Sequence, residues 1–291
     1  LPMNKDAIIH LCHKISGETG LNFNVVLIYY FLESILSRLA KSIYKDYFLL
    51  KGGFLLSNLI GVEERTTLDM DFLLHNLDFS RNKVVKIFEE ILREDNQDPI
   101  NYEILDVKTI RKSSPYAGYR LNIQCSLENV RQIIPLDIAT GDLITPGSID
   151  YHYHSLFNNG EIPIRAYPVE TILSEKIQTI FEKGFLNSRS KDFYDLYILS
   201  HLWANKINYA ILLEACKRTF RNRNSEWDIE KLKALVNTLK LDSHFEKRWL
   251  LYATKNTFAK DVLFASVIEG VMTLFDKLAL YELQGLKTSA E

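Results

Sequence analysis

Two aspartates separated by one residue, Asp69 and Asp71, lie inside a hydrophobic segment that follows the tripeptide Lys51-Gly52-Gly53. Side chains alternate between the two faces of a β-strand. In a strand, both carboxylates would therefore project from one face, while the neighbouring apolar residues, Leu68 among them, would pack on the other. Two carboxylates side by side repel each other, which costs stability unless a cation lies between them. The spacing therefore predicts a cation-binding pair.

The ion and the ligand that suit this pair follow from its chemistry. Mg²⁺ prefers oxygen ligands and commonly bridges carboxylates to nucleotide phosphates. A glycine pair at the start of a helix lets backbone N–H groups approach a triphosphate with no Cβ in the way. The segment predicts the site of a nucleotidyltransferase that uses an NTP with Mg²⁺ or Mn²⁺. The alternative is that the aspartates are exposed carboxylates of a strand or loop.

A third carboxylate, Asp137, lies within the apolar run Ile133-Ile134-Pro135-Leu136-Asp137-Ile138 and would face away from the aliphatic side chains. In two-metal phosphoryl transfer, a third acid on a neighbouring strand completes the metal site and can accept the proton of the attacking hydroxyl. We predict both roles for Asp137. The alternative is a buried aspartate that caps loop backbone.

Further charged residues fall in the helical second half of the chain. Lys176, Thr179 and Lys183 would lie on adjacent faces of one helix, where a lysine could neutralise incoming phosphates. The alternative is a solvated face paired with Glu175. Asp192 could act in catalysis or cap a helix N-terminus. For Asp192 and Asp195 together, tethering Lys176 is the structural alternative to direct catalysis.

Two other motifs could bind ligands. Cations and aromatic residues are interleaved between residues 217 and 227, a mixture that can hold an RNA backbone and stack bases; the cations are Lys217, Arg218, Arg221 and Arg223. The alternative is a solvated charged face. His152 and His154 would share one face of a strand, but no further soft ligands are near in sequence, so we interpret them as exposed loop histidines.

The hydrophobic pattern changes period along the chain. We predict strands at Phe48–Leu50, Leu68–Leu74, Tyr102–Thr109, Tyr116–Leu127, Arg131–Ala139 and Ile162–Ala166, with mainly loop elsewhere between 145 and 168. We predict helices at 3–18, 23–46, 52–59, 80–96, 170–184, 192–204, 207–220, 226–240, 243–255 and 259–284. The expected fold class is α+β. Its parts are N-terminal helices (3–46), a nucleotidyltransferase core with a small mixed sheet (47–167) and a C-terminal helical lobe (168–291), with the nucleotide in the cleft between sheet and lobe.

Bulk composition narrows the class of protein. The chain has 291 residues, 47% of them hydrophobic and 25% charged, which is typical of a soluble globular protein. Its formal net charge of −2 gives no overall attraction to nucleic acid. Three widely spaced cysteines favour a reducing compartment over a disulfide framework. With no run of roughly 18 apolar residues, we expect a cytoplasmic protein that does not span a membrane.

Taken together, these motifs resemble the AbiEii-type nucleotidyltransferase toxins, a branch of the DNA polymerase β-like superfamily. The resemblance rests on Tyr47–Gly53, Arg65–Phe72, Asp137-Ile138 and the run from Glu175-Lys176 to Lys191–Leu196. It implies that Asp69, Asp71 and Asp137 bind metal. It also implies a nucleotide-binding role for a second set of residues: Lys51, Gly52, Gly53, Thr67, Lys176, Thr179, Lys183 and Asp195.

The same resemblance implies a toxin of a toxin–antitoxin or phage-defence system, restrained by a cognate antitoxin. Such a toxin transfers a nucleotide from an NTP to an RNA acceptor such as the 3′ end of tRNA, with release of pyrophosphate. Two departures from the family pattern are Gly53, where Gly-Ser is frequent, and Lys183, where an arginine is expected. Two alternatives stay open: a metal-dependent nuclease that uses the same acids, and a non-catalytic RNA- or protein-binding module on this fold.

Overall fold

The structure, a computed structural model, describes residues 4–77, 80–93, 99–110, 118–184 and 189–288, with side chains as far as 284. Two compact units divide the chain. The first runs to Asp142 and includes Ile149–Ala166, and the second comprises Leu143–Ser148 and the chain from Tyr167 onward. Each unit is described by itself below.

A seven-stranded mixed sheet forms the centre of the first unit. Its strands are β1 (Phe48–Lys51), β2 (Met70–Leu74), β3 (Asn101–Ile110), β4 (Gly118–Leu127), β5 (Val130–Ala139), β6 (Ile149–His154) and β7 (Glu161–Ala166). They lie in the order β3-β4-β5-β2-β1-β7-β6. The pairs β2–β5 and β1–β7 are parallel, and the other neighbours are antiparallel. This mixed sheet with helices confirms the predicted α+β class.

Four helices belong to this unit: α1 (Lys5–Thr19), α2 (Phe23–Lys41), α3 (Gly52–Ile60) and α4 (Arg81–Ile91). Asn22 caps α2 by accepting a hydrogen bond from the backbone N–H of Asn24, as short polar side chains do at helix starts. Ser80 caps α4 in the same way. Helix α4 ends at Ile91, before the predicted residue 96. Residues 94–96 of that predicted helix and 116–117 of the strand predicted from Tyr116 lie outside the described residues.

Helix α2 alone among the described helices has the length and mean hydropathy, 1.4, of a membrane-spanning segment. Half of that apolar window is buried inside the fold. The buried residues follow the helical period and are Val26, Leu27, Tyr29, Phe31, Leu32, Glu33, Ile35, Leu36 and Leu39. A helix whose apolar stripe is already covered by protein is a core helix. It gives no support to membrane insertion.

Two sequence predictions about this unit are wrong. Residues 149–154 form strand β6, where we predicted a loop, and Tyr153 is buried with its ring stacked on Phe54 at 4.9 Å. The histidines at 152 and 154 therefore lie in a strand. Leu68, predicted to pack with the core, is 49% exposed because β2 begins two residues later, at Met70.

The second unit is helical, with α5 (Val169–Lys183), α6 (Ser190–Leu202), α7 (Tyr209–Asn222), α8 (Ile229–Lys240), α9 (Ser243–Lys255) and α10 (Phe264–Thr288). Its core is apolar and includes Leu173, Ile177, Leu196, Leu199, Phe220, Leu232, Val271 and Leu274, which are fully buried. Asp192, which we considered as a helix cap, lies within the first turn of α6, since the N-cap is Arg189.

Glu33 in α2 gives the first unit a predictable pH dependence. Its side chain is 5% exposed and accepts hydrogen bonds from Ser155 Oγ (2.6 Å), the Leu156 N–H (2.8 Å) and the Tyr153 hydroxyl (3.3 Å). Burial raises the pKa of Glu33 from 4.5 to about 7. Between these values the folded protein keeps a proton that the unfolded chain has released, so stability falls as the pH rises through this window.

Glu33→Gln should remove this contribution. Between pH 5 and pH 8 the free energy of unfolding of the native protein should fall by about 3 kcal/mol more than that of the variant. Urea titrations at both pH values measure the difference. Glu103→Gln, which neutralises an exposed glutamate of β3, should keep the native pH profile. Parallel profiles for Glu33→Gln and the native protein would contradict the assignment.

Candidate active site

Four charged residues form a row across four neighbouring strands. Lys51 of β1 lies opposite Asp71 of β2, Asp71 lies beside Asp137 of β5, and Asp137 lies opposite Arg120 of β4. Directly paired residues of adjacent strands project from the same face of a sheet. The sheet therefore brings Asp71 and Asp137, which are far apart in sequence, onto one face as neighbours.

The glycine pair lies directly against these acids. Gly52 begins α3 with φ +71°, a conformation that favours glycine. A Cβ at this position would lie 2.7 Å from Cγ of Asp71, closer than real Cβ contacts come. A Cβ at Gly53 would lie 2.9 Å from Oγ1 of Thr67. The absence of side chains at 52 and 53 is thus what lets the start of α3 meet the carboxylate.

Asp69 is held by the loop that precedes β2. The hydroxyl of Thr67 donates a hydrogen bond to Oδ1 of Asp69. The backbone N–H of Thr67 in turn donates to the hydroxyl of Tyr29, a fully buried residue of α2, at 3.1 Å. Thr67 therefore connects the orientation of Asp69 to the core of the unit.

Asp137 has a strong partner that the sequence did not reveal. Arg120 donates from Nε to Oδ1 (2.6 Å) and from Nη2 to Oδ2 (2.7 Å), the two-pronged geometry in which guanidinium and carboxylate bind most strongly. The Asp137 carboxylate raises the pKa of Arg120, and the charges of Asp69 and Asp71 raise it further. The positive charge of Arg120 is therefore stabilised by all three predicted metal ligands, Asp69, Asp71 and Asp137.

A second ion pair orients Lys51. Its Nζ lies 2.7 Å from Oδ2 of Asp142, and the two side chains are 7% and 5% exposed. We predicted a nucleotide contact for Lys51 and assigned no role to Asp142. Asp142 follows Gly141 in a polar loop after β5. Nothing in the sequence pairs Asp142 with Lys51, or Arg120 with Asp137.

The donor set decides how a metal ion could bind. Mg²⁺ is usually bound through one or two carboxylates, with substrate phosphates and water completing the shell. Asp69 and Asp71 supply two carboxylates beside the glycine pair, which fits that pattern. No group of three His, Cys, Asp or Glu side chains in the described parts of the chain is arranged to hold a metal ion. Both oxygens of Asp137 accept hydrogen bonds from Arg120, so a metal site made of all three carboxylates stays a prediction.

The predicted residues of the second unit converge on one another. Nζ of Lys176 on α5 lies 3.1 Å from Oδ1 of Asp192 and 2.6 Å from Oδ2 of Asp195, both on α6. The three side chains are 14%, 6% and 0% exposed. Thr179 donates its hydroxyl to the carbonyl of Glu175 within the same helix. Lys183 is half-exposed beside Glu182, so it is not part of this buried cluster.

The predicted basic patch is largely paired within the second unit. Lys217 lies 2.7 Å from Glu282, Arg218 lies 3.7 Å from Glu214, and Arg223 donates to Gln178 at 2.7 Å. Arg221 is exposed and lines a cavity of about 410 Å³ together with Trp227. Paired cations attract an RNA backbone less strongly than a free basic stripe.

The histidines at 152 and 154 share one carboxylate. Nδ1 of His152 lies 2.9 Å from one oxygen of Glu161, and Nδ1 of His154 lies 3.3 Å from the other. Both imidazoles are largely exposed on strand β6. Their exposure agrees with the prediction of exposed histidines, although the two residues lie on a strand and not in a loop.

Comparisons with known proteins identify the family and the fold. The family described as "Nucleotidyl transferase AbiEii toxin, Type IV TA system" matches residues 34–267. Similar solved structures include JHP933 from Helicobacter pylori, with a TM-score of 0.51 and 15% identity over 93% of this chain and 97% of that chain. A candidate nucleotidyltransferase from H. pylori has a TM-score of 0.50 and 16% identity, over 92% and 99% respectively. At these identities the structures establish the fold alone.

No curated protein sequence matches the chain significantly. The family match covers most of the chain and includes both clusters, so the chain belongs to the AbiEii family of nucleotidyltransferase toxins.

Proposed function

We propose that this chain transfers a nucleoside monophosphate from an NTP to the 3′-hydroxyl of an RNA, with the 3′ end of tRNA as acceptor. The observation that carries the proposal is the meeting of Asp71 with Gly52 at the start of α3, with Asp137 beside Asp71 on the next strand. Asp69 accepts a hydrogen bond from Thr67, which lies against Gly53. Acidic oxygens next to a helix N-terminus without side chains suit a metal–triphosphate complex. The proposal places the toxin in the cytoplasm, which its three buried cysteine thiols support.

The proposed chemistry is an in-line displacement. The 3′-oxygen of the acceptor bonds to the α-phosphorus, the bond from that phosphorus to the bridging oxygen breaks, and pyrophosphate leaves with the electron pair. We propose that Asp69 and Asp71 hold Mg²⁺ or Mn²⁺, and that Asp137 completes this metal site and takes the proton of the hydroxyl. The ion would supply charge stabilisation at the phosphates. The N–H groups at the start of α3 would bind phosphate oxygens, and Lys51 would add a positive charge beside them.

The roles proposed for the second unit are narrower. Lys176 and Thr179 match the Lys-x-x-Thr pattern of the family, and we propose that Lys176 neutralises phosphate while Asp192 and Asp195 orient it. Because both carboxylates already bind Lys176, orientation is the role that its contacts support best. We propose Lys183 as an accessory phosphate contact. For RNA, we propose contact at Arg221 beside Trp227, with Lys217, Arg218 and Arg223 as secondary contacts. A cognate antitoxin, as the family description implies, would restrain the activity.

Incubation of the purified protein with each α-³²P-labelled NTP, Mg²⁺ and total RNA tests the proposal. We expect label to be incorporated into RNA in the tRNA size range, in proportion to pyrophosphate released. Sequencing of the 3′ ends would identify the added nucleotide and the acceptor.

Two other outcomes would contradict transfer. Shortened RNA without incorporated label would indicate a nuclease that uses the same acids with water as nucleophile. RNA binding without either change would indicate a non-catalytic module. Asp150→Asn, which removes an 88%-exposed carboxylate of β6, is the matched control and should incorporate label as the native protein does.

A further inference from the structure

The pairing of Arg120 with Asp137 has a consequence for metal binding. Both oxygens of the Asp137 carboxylate accept hydrogen bonds from a single guanidinium, at 2.6 and 2.7 Å. Asp137 is largely buried, whereas 41% of the Arg120 side chain is exposed. The cation is thus the partner with room to move. The carboxylate is fixed by its strand and by its register beside Asp71.

A divalent ion bound between Asp71 and Asp137 would meet the guanidinium at close range. Like charges at a few ångströms repel strongly in the reduced dielectric near a protein surface. The ion would also need oxygen lone pairs that Arg120 now engages. Arg120 and a divalent ion therefore cannot occupy Asp137 together without cost, and the binding of one opposes the binding of the other.

We propose that Arg120 serves as the built-in counter-ion of Asp137 and competes with the divalent cation for it. This inference rests on the proposed metal site and deepens it, because it names a residue that sets the affinity of the site for metal. Arg120 is a positioning residue in this scheme. Arg120 holds the Asp137 carboxylate in place when no metal is bound. It weakens metal binding, because its ion pair with Asp137 must break before the ion can bind there.

Titration of the purified protein with Mn²⁺, followed through the EPR signal of free Mn²⁺, tests the competition without NTP or RNA. Arg120→Gln should bind Mn²⁺ about tenfold more tightly than the native protein, the gain expected from removing a bidentate ion pair of this exposure. Arg120→Lys keeps the charge but loses the two-pronged geometry, so its affinity should lie between the two.

Lys108→Gln is the matched control. Lys108 lies opposite Arg120 on β3, is 66% exposed and pairs with Asp106, so this variant removes one nearby positive charge without touching Asp137. Its affinity for Mn²⁺ should stay within about twofold of native, because an exposed charge is well screened. In an Asp137→Asn background, the gain from Arg120→Gln should be clearly smaller, because only the weaker charge interaction of Arg120 with Asp69 and Asp71 then remains.

Several results would overturn the proposal. These are an unchanged or weaker affinity in Arg120→Gln, the same gain in Lys108→Gln, an undiminished gain in the Asp137→Asn background, and no Mn²⁺ binding in any variant. Circular dichroism confirms that each variant is folded before titration. Failure of the NTP incorporation assay with intact Mn²⁺ competition would reject the transfer reaction but keep the role of Arg120, so the two failures are distinguishable.

Discussion

Asp71→Asn should reduce nucleotide incorporation about a thousandfold, which corresponds to roughly 4 kcal/mol of transition-state stabilisation. Asp71 is the central member of the cross-strand row and the carboxylate that Gly52 accommodates. Asparagine keeps the shape of the side chain but carries no charge, so it binds a divalent ion and its phosphates poorly. The measurement is the initial rate of label incorporation under saturating NTP.

The fold of this variant should survive. The change removes one of three neighbouring negative charges, which lowers mutual repulsion on that face of the sheet. Asp69→Asn should show a similar loss of activity, and Asp150→Asn on exposed β6 should show none. An incorporation rate for Asp71→Asn within tenfold of native, in a folded protein, would remove Asp71 from the site.

Lys176→Met should lower the free energy of unfolding of the second unit by about 3–5 kcal/mol, because it removes the ammonium group that binds two buried carboxylates. Asp192 and Asp195 are 6% and 0% exposed, so water cannot replace the lost ammonium. Methionine fills most of the space of the aliphatic part of the lysine side chain. The variant therefore tests the loss of the positive charge with little loss of packing. Urea unfolding monitored by circular dichroism gives the difference.

Two further variants separate the ion pair from other effects. Lys231→Met removes a lysine that is 61% exposed on α8 and should cost less than about 1 kcal/mol. Asp195→Asn should cost clearly less in the Lys176→Met background than alone, because there it removes a charge that has already lost Lys176. Additive costs would contradict the buried pairing.

This stability cost affects how any Lys176 variant is interpreted. A toxin that loses activity on replacement of Lys176 could have lost its fold and not a phosphate contact. Lys176→Arg keeps the charge, and comparing its activity with its stability separates the two causes. A variant that stays folded but has a raised KM for NTP supports a direct contact with the nucleotide.

The local parts of the site could be predicted from the sequence because their signals are local. Gly52 and Gly53 begin α3 as predicted, because a glycine pair after a short apolar strand is a local pattern. Asp71 lies in β2 as predicted, whereas Asp69 precedes that strand, and the metal-binding role of the pair stays a prediction. The same reasoning predicted six of the seven strands. It placed the start of β2 two residues early, so Leu68 was wrongly assigned to the core.

The parts that sequence reasoning missed depend on pairing between distant segments. Arg120 faces Asp137 because of the β4–β5 register, and Asp142 meets Lys51 from 91 residues away. Neither relation has a signal in one sequence. Strand β6 was not predicted because it lies in a segment rich in proline, glycine and asparagine. The alternation of Tyr151 and Tyr153 with the two histidines is nevertheless typical of a strand. An edge strand needs fewer apolar residues than a central one.

The proposed active site is complete only once β5 has joined β2. Asp71 of β2 and Asp137 of β5 are far apart along the chain, and contacts of large sequence separation form slowly because the intervening polypeptide must first be ordered. A ribosome-bound chain that has emerged only as far as β4 carries Asp71 without Asp137. The chain can therefore be synthesised and begin to fold in the producing cell before its proposed active site is complete.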